Sequence, residues 1–344
     1  RDTDRSRGLG DVYKRQHYVC GFSPSEGMIL VTPTAVYQLV DSRYTETARL
    51  HGADTGVQVT EITTGFWDEL DALLAKIDCK ILLFEDRTIA YRQYTQLQGI
   101  FSGELRPVGN GVMNLRNVKE PWEIDLMKTA NRIAEKAFLE LLNDVKPGKT
   151  EKELAARFDY LMALGGSDGV SFDTILLTGA HTSMPHGVPE NREVQKGDFV
   201  LFDFGATYRG YHSDMTRTVA VGSATAEMQA AYDLVLRAQL AGIQALHAGV
   251  PCKEVYQAAY DVLAAEDKAQ YFRHSLGHGV GLEIHEGYNA SPRSGDVYQT
   301  GNVTSMEPGI YLPDKFGIRI EDVLYLSPHG RENLSNVTKK LIVL

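Results

Sequence analysis

The chain has 344 residues, of which 43% are hydrophobic and 23% charged, and a formal net charge of −10. That length allows two domains around a substantial core, and the acidity argues against non-specific binding to nucleic acid or to an anionic membrane surface. No apolar stretch approaches the roughly 20 residues of a membrane span, and three scattered cysteines (Cys20, Cys79, Cys252) without CxxC spacing predict a reducing, cytoplasmic setting.

Residues 1–16 start with Arg, are charge-dense and lack an apolar period. They read as a foreign segment, the translation of a sequencing adapter, and are set apart from the fold; a basic targeting arm is the alternative, but the stretch lacks the apolar core of a signal peptide. The expectation is then that the first strand and helix of the first domain are missing. Residues 17–115 alternate short apolar runs with a helical stripe. Met28 to Val31, Val36 to Val40 and Lys80 to Phe84 predict strands, the first two separated by the turn signal at Thr32, Pro33 and Thr34. Phe66, Leu70, Leu73, Leu74 and Ile77 predict a helix. A small α/β domain follows from this alternation. Asp41, Arg43 and Tyr44 read as surface residues, with contact to substrate or a partner subunit as the alternative.

The second domain is expected over residues 116–344. Glu120, Pro121 and Glu123 open a long helix whose buried stripe runs through Ile124, Met127, Phe138 and Leu141. An internal repeat follows. The stretch Val145 to Leu154 aligns with Leu246 to Val255, and Gly197 to Asp203 aligns with Gly301 to Glu307, about a hundred residues apart in both places. Each half reads as helix, turn, helix, then a hairpin with an acid on each arm.

In the first half the acids are Asp203 and Asp214. Asp203 lies in an aromatic strand and, with a period of two, shares a face with Phe199 and Leu201. An ionised carboxylate there, unpartnered, would cost several kcal/mol. An N-cap or an ion pair to Arg217 accounts for either aspartate alone. In the second half the acids are Glu307 and Glu321. A two-fold repeat would bring the four carboxylates together, and such a cluster needs cations. His278, flanked by glycines, is the expected fifth ligand. One nitrogen and four carboxylates match two hard or borderline divalent ions, Mn²⁺ first, with Co²⁺ and Zn²⁺ as alternatives.

These five positions and their surroundings resemble the pita-bread metallopeptidases. The stretches Gly210 to Thr218, His278 to Glu286 and Glu307 to Tyr311 are similar to the Xaa-Pro aminopeptidase and prolidase branch, and the resemblance covers residues 17–344. It implies an α/β (α+β) fold: a small creatinase-like N-terminal domain, then a pseudo-two-fold pita-bread catalytic domain. It implies a homodimer and a proline-containing peptide as substrate. Asp203 would bind one metal ion, His278 with Glu307 the other, and Asp214 and Glu321 both. A hydroxide between the ions would attack the carbonyl before proline, and Glu307 would pass a proton to the leaving nitrogen. His186 and His285 would bind substrate and stabilise the oxyanion. Thr216 and Arg319 would support the ligands, Arg319 by sharing a strand face with Glu321. The chemistry suits the substrate class, because a bond to proline has no N–H for a peptidase to grip.

One stretch departs from the family pattern. Many members carry Pro and then Arg after the His-Glu pair, the Arg reaching a dipeptide's carboxylate; here Gly287, Tyr288 and Asn289 follow. Asn289 has no charge to offer, and Arg293 is the nearest alternative. Longer Xaa-Pro peptides are therefore expected on an equal footing with dipeptides. A methionine-aminopeptidase-like exopeptidase is the first rival, but such enzymes lack an N-terminal α/β domain. A metal-free hydrolase of the creatinase kind and a non-catalytic peptide-binding protein would have lost ligands, and all five stand here.

Overall fold

The computed structural model describes residues 14–53 and 55–344. Most of the segment read as foreign, residues 1–16, lies outside the described residues. Of its end, Arg15 pairs with Glu85 and Gln16 donates to the Gly27 carbonyl at 3.0 Å. The chain divides into two compact units, the second being Met113–Leu344. No described helix is long and apolar enough to cross a membrane.

In the first unit, β1 (Gly27–Val31) and β2 (Val36–Val40) form an antiparallel pair across the Thr32–Ala35 turn, and β3 (Gln58–Glu61) adds parallel to β2. Helix α1 (Thr45–Gly52) connects β2 to β3. Helix α2 (Phe66–Lys76) buries Leu70 and Leu74, one turn apart, as its stripe predicts. Strands β4 (Ile81–Phe84) and β5 (Glu104–Pro107) run parallel, joined by α3 (Tyr91–Ile100). Asp41 and Arg43 pair with each other at the surface, 2.6 Å apart.

A short helix, α4 (Gly111–Asn117), precedes α5 (Pro121–Leu141), whose first turn carries Pro121 and a Glu123 carboxylate bonded to the Glu120 N–H at 2.8 Å. Phe138 of α5 and Phe158 of α6 (Glu151–Leu164) pack on Phe202 and Phe204 of β8 (Phe199–Phe204), with centroids 4.5–6.4 Å apart. Strands β6 (Gly169–Val170) and β7 (Ile175–Thr178) come between. With Phe202 and Phe204 turned to the helices, period two sends Phe199, Leu201 and Asp203 to the other face, where Phe199 stacks edge-on against Phe316.

The internal repeat is visible residue by residue. Gly148 and Gly249 take φ of +88° and +89°, and Gly197 and Gly301 both take +92°, values that favour glycine. Their hydrogen bonds correspond: Gly148 N–H to Val194 and Gly249 N–H to Tyr298; Gly197 N–H to Val221 and Gly301 N–H to Leu326. Helices α7 (Ala226–Ala245) and α8 (Cys252–Ala264) repeat the pair α5 and α6.

The expected simple hairpins are corrected. In the first half β8 pairs antiparallel with β11 (Met215–Ala220), Asp203 opposite Thr216, and between them the chain makes an inner excursion, β9 (Ala206–Tyr208) and β10 (Tyr211–His212). The second half begins with β12 (Gly277–Gly279) and β13 (Glu286–Ala290), an antiparallel pair with a bulge at His278/Gly279. Then β14 (Val303–Met306) pairs with β17 (Asp322–Ser327), Met306 opposite Asp322, and the inner excursion is β15 (Gly309–Leu312) and β16 (Phe316–Arg319). A last strand, β18 (Gly330–Asn333), closes the five-stranded sheet. The acids sit where outer ladder meets inner excursion, which is why four sequence-distant carboxylates converge.

Candidate metal centre

Each ligand candidate comes from the end or middle of a buried strand. Asp203 lies in β8, Asp214 one residue before β11, His278 in β12, Glu307 one residue after β14 and Glu321 one residue before β17. Carboxylate oxygens of Asp214 and Glu321 and a ring nitrogen of His278 all lie within 4.8 Å of one another. His278 Nε2 stands 3.5 Å from Asp214 Oδ2 and 3.3 Å from Glu307 Oε1, while its Nδ1 reaches the Gly279 carbonyl at 3.2 Å. That carbonyl bond makes Nδ1 a donor and turns Nε2 to the carboxylates. Burial opposes protonation of the ring, but the Glu307 hydrogen bond and the Glu307 and Asp214 charges outweigh it and raise the pKa to about 9. The metal-free ring is therefore charged, and its Nε2 proton is the one a bound cation would displace.

Burial, then the charge of Asp203, pushes the Asp214 carboxyl well above its ordinary range; burial, then Asp214 and Glu307, does the same to Glu321. Burial also raises Asp203, against the pull of Arg319. At Glu307 burial acts upward too, but the hydrogen bond and charge of His278 outweigh it and hold the carboxyl low. These groups crowd negative charge into one dry place.

Arg319 is the resident counter-charge, and its partners correct the expectation. The chain leaves β16 after Arg319 and enters β17 at Asp322, so Arg319 and Glu321 do not share a strand. The guanidinium instead donates to Asp203, to the Thr216 hydroxyl at 3.1 Å and to Tyr311 OH at 2.7 Å. Thr216 in turn donates to Glu321 Oε2 at 2.7 Å, so Arg319 reaches Glu321 only through Thr216. Arg217, the partner suggested for the aspartates, pairs with Asp322 at 2.7 Å and lies behind the site.

The chain's residues fit a divalent metal. Asp203 Oδ1 and Glu321 Oε1 are buried and accept no hydrogen bond from the described residues. Buried carboxylate oxygens left so are costly unless a cation takes them. The donor set, four carboxylates and an imidazole nitrogen, is that of hard to borderline ions.

His285 packs its ring edge-on against His278, centroids 3.9 Å apart. Burial and the adjacent His278 charge lower its pKa to about 4, so it stays neutral and keeps an N–H to donate. His186 is exposed on the loop after Ser183, near His274 and His285. A cavity of about 240 Å³ opens here, lined by Ser275, His278, His285 and the segment 286–289, Asn289 included. Asn289 stands opposite His278 across the β12–β13 ladder. A second depression, of about 550 Å³, lies in the first unit against Thr45, Glu46, Arg49 and Glu61.

Sequence reading missed His274 and Tyr311. His274 Nδ1 donates to the Ser275 carbonyl at 2.7 Å, so Nε2 accepts from Tyr311 OH at 2.9 Å, and Tyr311 accepts from Arg319. Donation thus runs outward from Arg319 on both arms, through Tyr311 to His274 and directly to Asp203.

Comparisons with known proteins bear on the family and the fold. Residues 125–328 match metallopeptidase family M24, and residues 12–118 match the creatinase/prolidase N-terminal domain. An uncharacterized peptidase of Bacillus subtilis, YqhT, is 35% identical over 328 residues, covering 95% of this chain and 92% of its own. The solved structure of an Xaa-Pro dipeptidase from Bacillus anthracis superposes with a TM-score of 0.91 at 32% identity, over 100% of both chains. That of an X-Pro aminopeptidase from Thermotoga maritima gives 0.92 at 34% identity, over 98% of this chain and 95% of its own.

Proposed function

The chain belongs to metallopeptidase family M24, and from that premise we propose that it hydrolyses the bond between an N-terminal residue and a following proline. The observation that carries this reading is the convergence of Asp203, Asp214, His278, Glu307 and Glu321 in one buried cluster, with neutral His285 at its rim. Both an Xaa-Pro dipeptidase and an X-Pro aminopeptidase stand among the similar structures.

In this reading the five residues hold two divalent ions, Mn²⁺ foremost. Bound there, such ions would polarise the scissile carbonyl and activate water at neutral pH. Glu307 takes the proton of the attacking water and returns it to the proline nitrogen as that nitrogen leaves. Its Oε1 is placed for this by the Ser305 hydroxyl at 3.2 Å and by His278. His285 donates to the oxygen that becomes negative, and His186 grips the substrate from the facing loop. Arg319 and Thr216 hold Asp203 and Glu321 in place, so neither carboxylate swings away as charge shifts. The proposal extends to a homodimer working in the cytoplasm, with the domain boundary near residue 115.

Asn289 decides the far end of the substrate. A neutral amide on the cavity wall beside His278 offers hydrogen bonds to a peptide backbone but no charge to a free carboxylate. Peptides longer than two residues are therefore admitted. The test is to load the protein with Mn²⁺ and quantify free alanine from Ala-Pro and Ala-Pro-Ala in separate assays. Alanine from the tripeptide at least as fast as from the dipeptide is the expected result. Release from the dipeptide alone would contradict the role given to Asn289, and release from neither would contradict the proposed activity.

A further inference from the structure

The carboxylate of Glu286 is the centre of a buried ionic cluster that the reaction above does not use. Its Oε1 accepts from Lys119 Nζ at 2.6 Å; its Oε2 accepts from Arg116 and from the Glu283 N–H at 3.1 Å. Arg116 also reaches Glu283 Oε1 at 3.0 Å. The side chains of Arg116, Lys119 and Glu286 are each 1% exposed, while Glu283, the second carboxylate, is 14% exposed at the cluster's edge. The turn before β13 is wrapped tightly around this carboxylate: a Cβ on Gly281 would stand 2.3 Å from Glu286 Oε1. A Cβ on Gly287 would stand 2.0 Å from Asn117 Oδ1. His285 is the residue immediately before Glu286, and its ring packs against His278.

The same short segment also fastens the approach to β14. Lys119 N–H donates to the Gly301 carbonyl at 2.8 Å, and the Asn302 side chain donates to the Asn117 carbonyl at 2.8 Å. Strand β14 then leads directly to Glu307. Residues 116–119 thus hold two things at once, the His285 turn and the strand ending at Glu307. Stability alone is a weak reason for such a cluster, because apolar side chains of similar volume commonly pack there as well or better.

We propose that Lys119, Arg116 and Glu286 are positioning residues that set the His285 imidazole against the centre formed by His278 and the carboxylates. The inference rests on the reading of His285 as a substrate-binding group. Lys119→Met is the informative variant, since it keeps side-chain bulk and leaves the Arg116–Glu286 pair. Glu283→Gln, at the cluster's outer edge, is the second variant should the first not fold. In Mn²⁺-loaded protein, Lys119→Met is expected to lower kcat for Ala-Pro-Ala roughly tenfold to a hundredfold, with Mn²⁺ affinity by calorimetry unchanged. In a His285→Ala background the same substitution is expected to cost less than about twofold, because the two act as one unit. Equal losses in both backgrounds would overturn the proposal.

A second readout needs no substrate. The ¹³Cε1 resonance of the His285 ring, identified by its loss in His285→Ala, is expected to move in Lys119→Met and to return in Lys119→Arg. A resonance that stays in place in folded Lys119→Met would overturn the positioning role. If the wild-type protein cleaves no Xaa-Pro peptide, the proposed activity fails, and the resonance alone decides this inference.

Discussion

Replacing Glu307 by Gln is expected to leave the protein folded and to cut Xaa-Pro hydrolysis by roughly a thousandfold. The substitution preserves shape and the hydrogen bond from Ser305, which lies 3.2 Å from Glu307 Oε1. It removes the basic oxygen that must take and return a proton, and it removes the negative partner of His278, 3.3 Å away. Circular dichroism together with steady-state hydrolysis of Ala-Pro-Ala checks both halves. A folded variant turning over at the wild-type rate would place the proton transfer elsewhere, with His285 or His186 as the next groups to test.

Arg319→Met carries the second large effect, on stability rather than chemistry. The guanidinium is buried, pairs with Asp203 and satisfies Thr216 and Tyr311. Removing one partner of a buried pair leaves an uncompensated charge and costs about 3–5 kcal/mol. Here the cost is compounded because Asp203, Asp214 and Glu321, beside the charged Glu307, already have raised proton affinities. In chelator-treated protein the melting temperature is expected to fall by roughly 4–7 °C. Restoring Mn²⁺ is expected to recover part of that loss, since binding only the folded state stabilises it. An unchanged melting temperature in the chelated variant would show that Arg319 is not the group that offsets the acid cluster.

The parts of the site that were legible in the sequence share one physical feature: a local pattern reports them. Asp203 stood out because a carboxylate interrupts an aromatic strand whose period of two assigns its face, and Phe202 and Phe204 do pack on the helices opposite. The repeat stood out because glycines recur at matched offsets, and Gly148, Gly249, Gly197 and Gly301 all need positive φ. What escaped was pairing across sequence distance. Arg217 is three residues from Asp214 and was offered as its partner, yet it turns to Asp322, while Arg319 crosses to Asp203. Arg217 lies in β11 and Arg319 in β16, strands of different sheets, and no local pattern tells which acid each guanidinium meets. The cluster of Arg116, Lys119 and Glu286 spans about 170 positions. No periodicity links its members, so only the folded chain shows that the residue beside His285 is held from the segment before α5.

The most direct test of the account is the metal content of the Mn²⁺-loaded protein after gel filtration, read by elemental analysis for the wild type and for Asp214→Asn. The account predicts about two ions per wild-type chain, since the donor set matches a paired-ion site. It predicts a clear loss in the variant, because Asp214 faces both His278 and Glu321. Wild-type protein that retains no ion, or an Asp214→Asn variant that retains as many as the wild type, would contradict the assignment of these five residues as a metal centre.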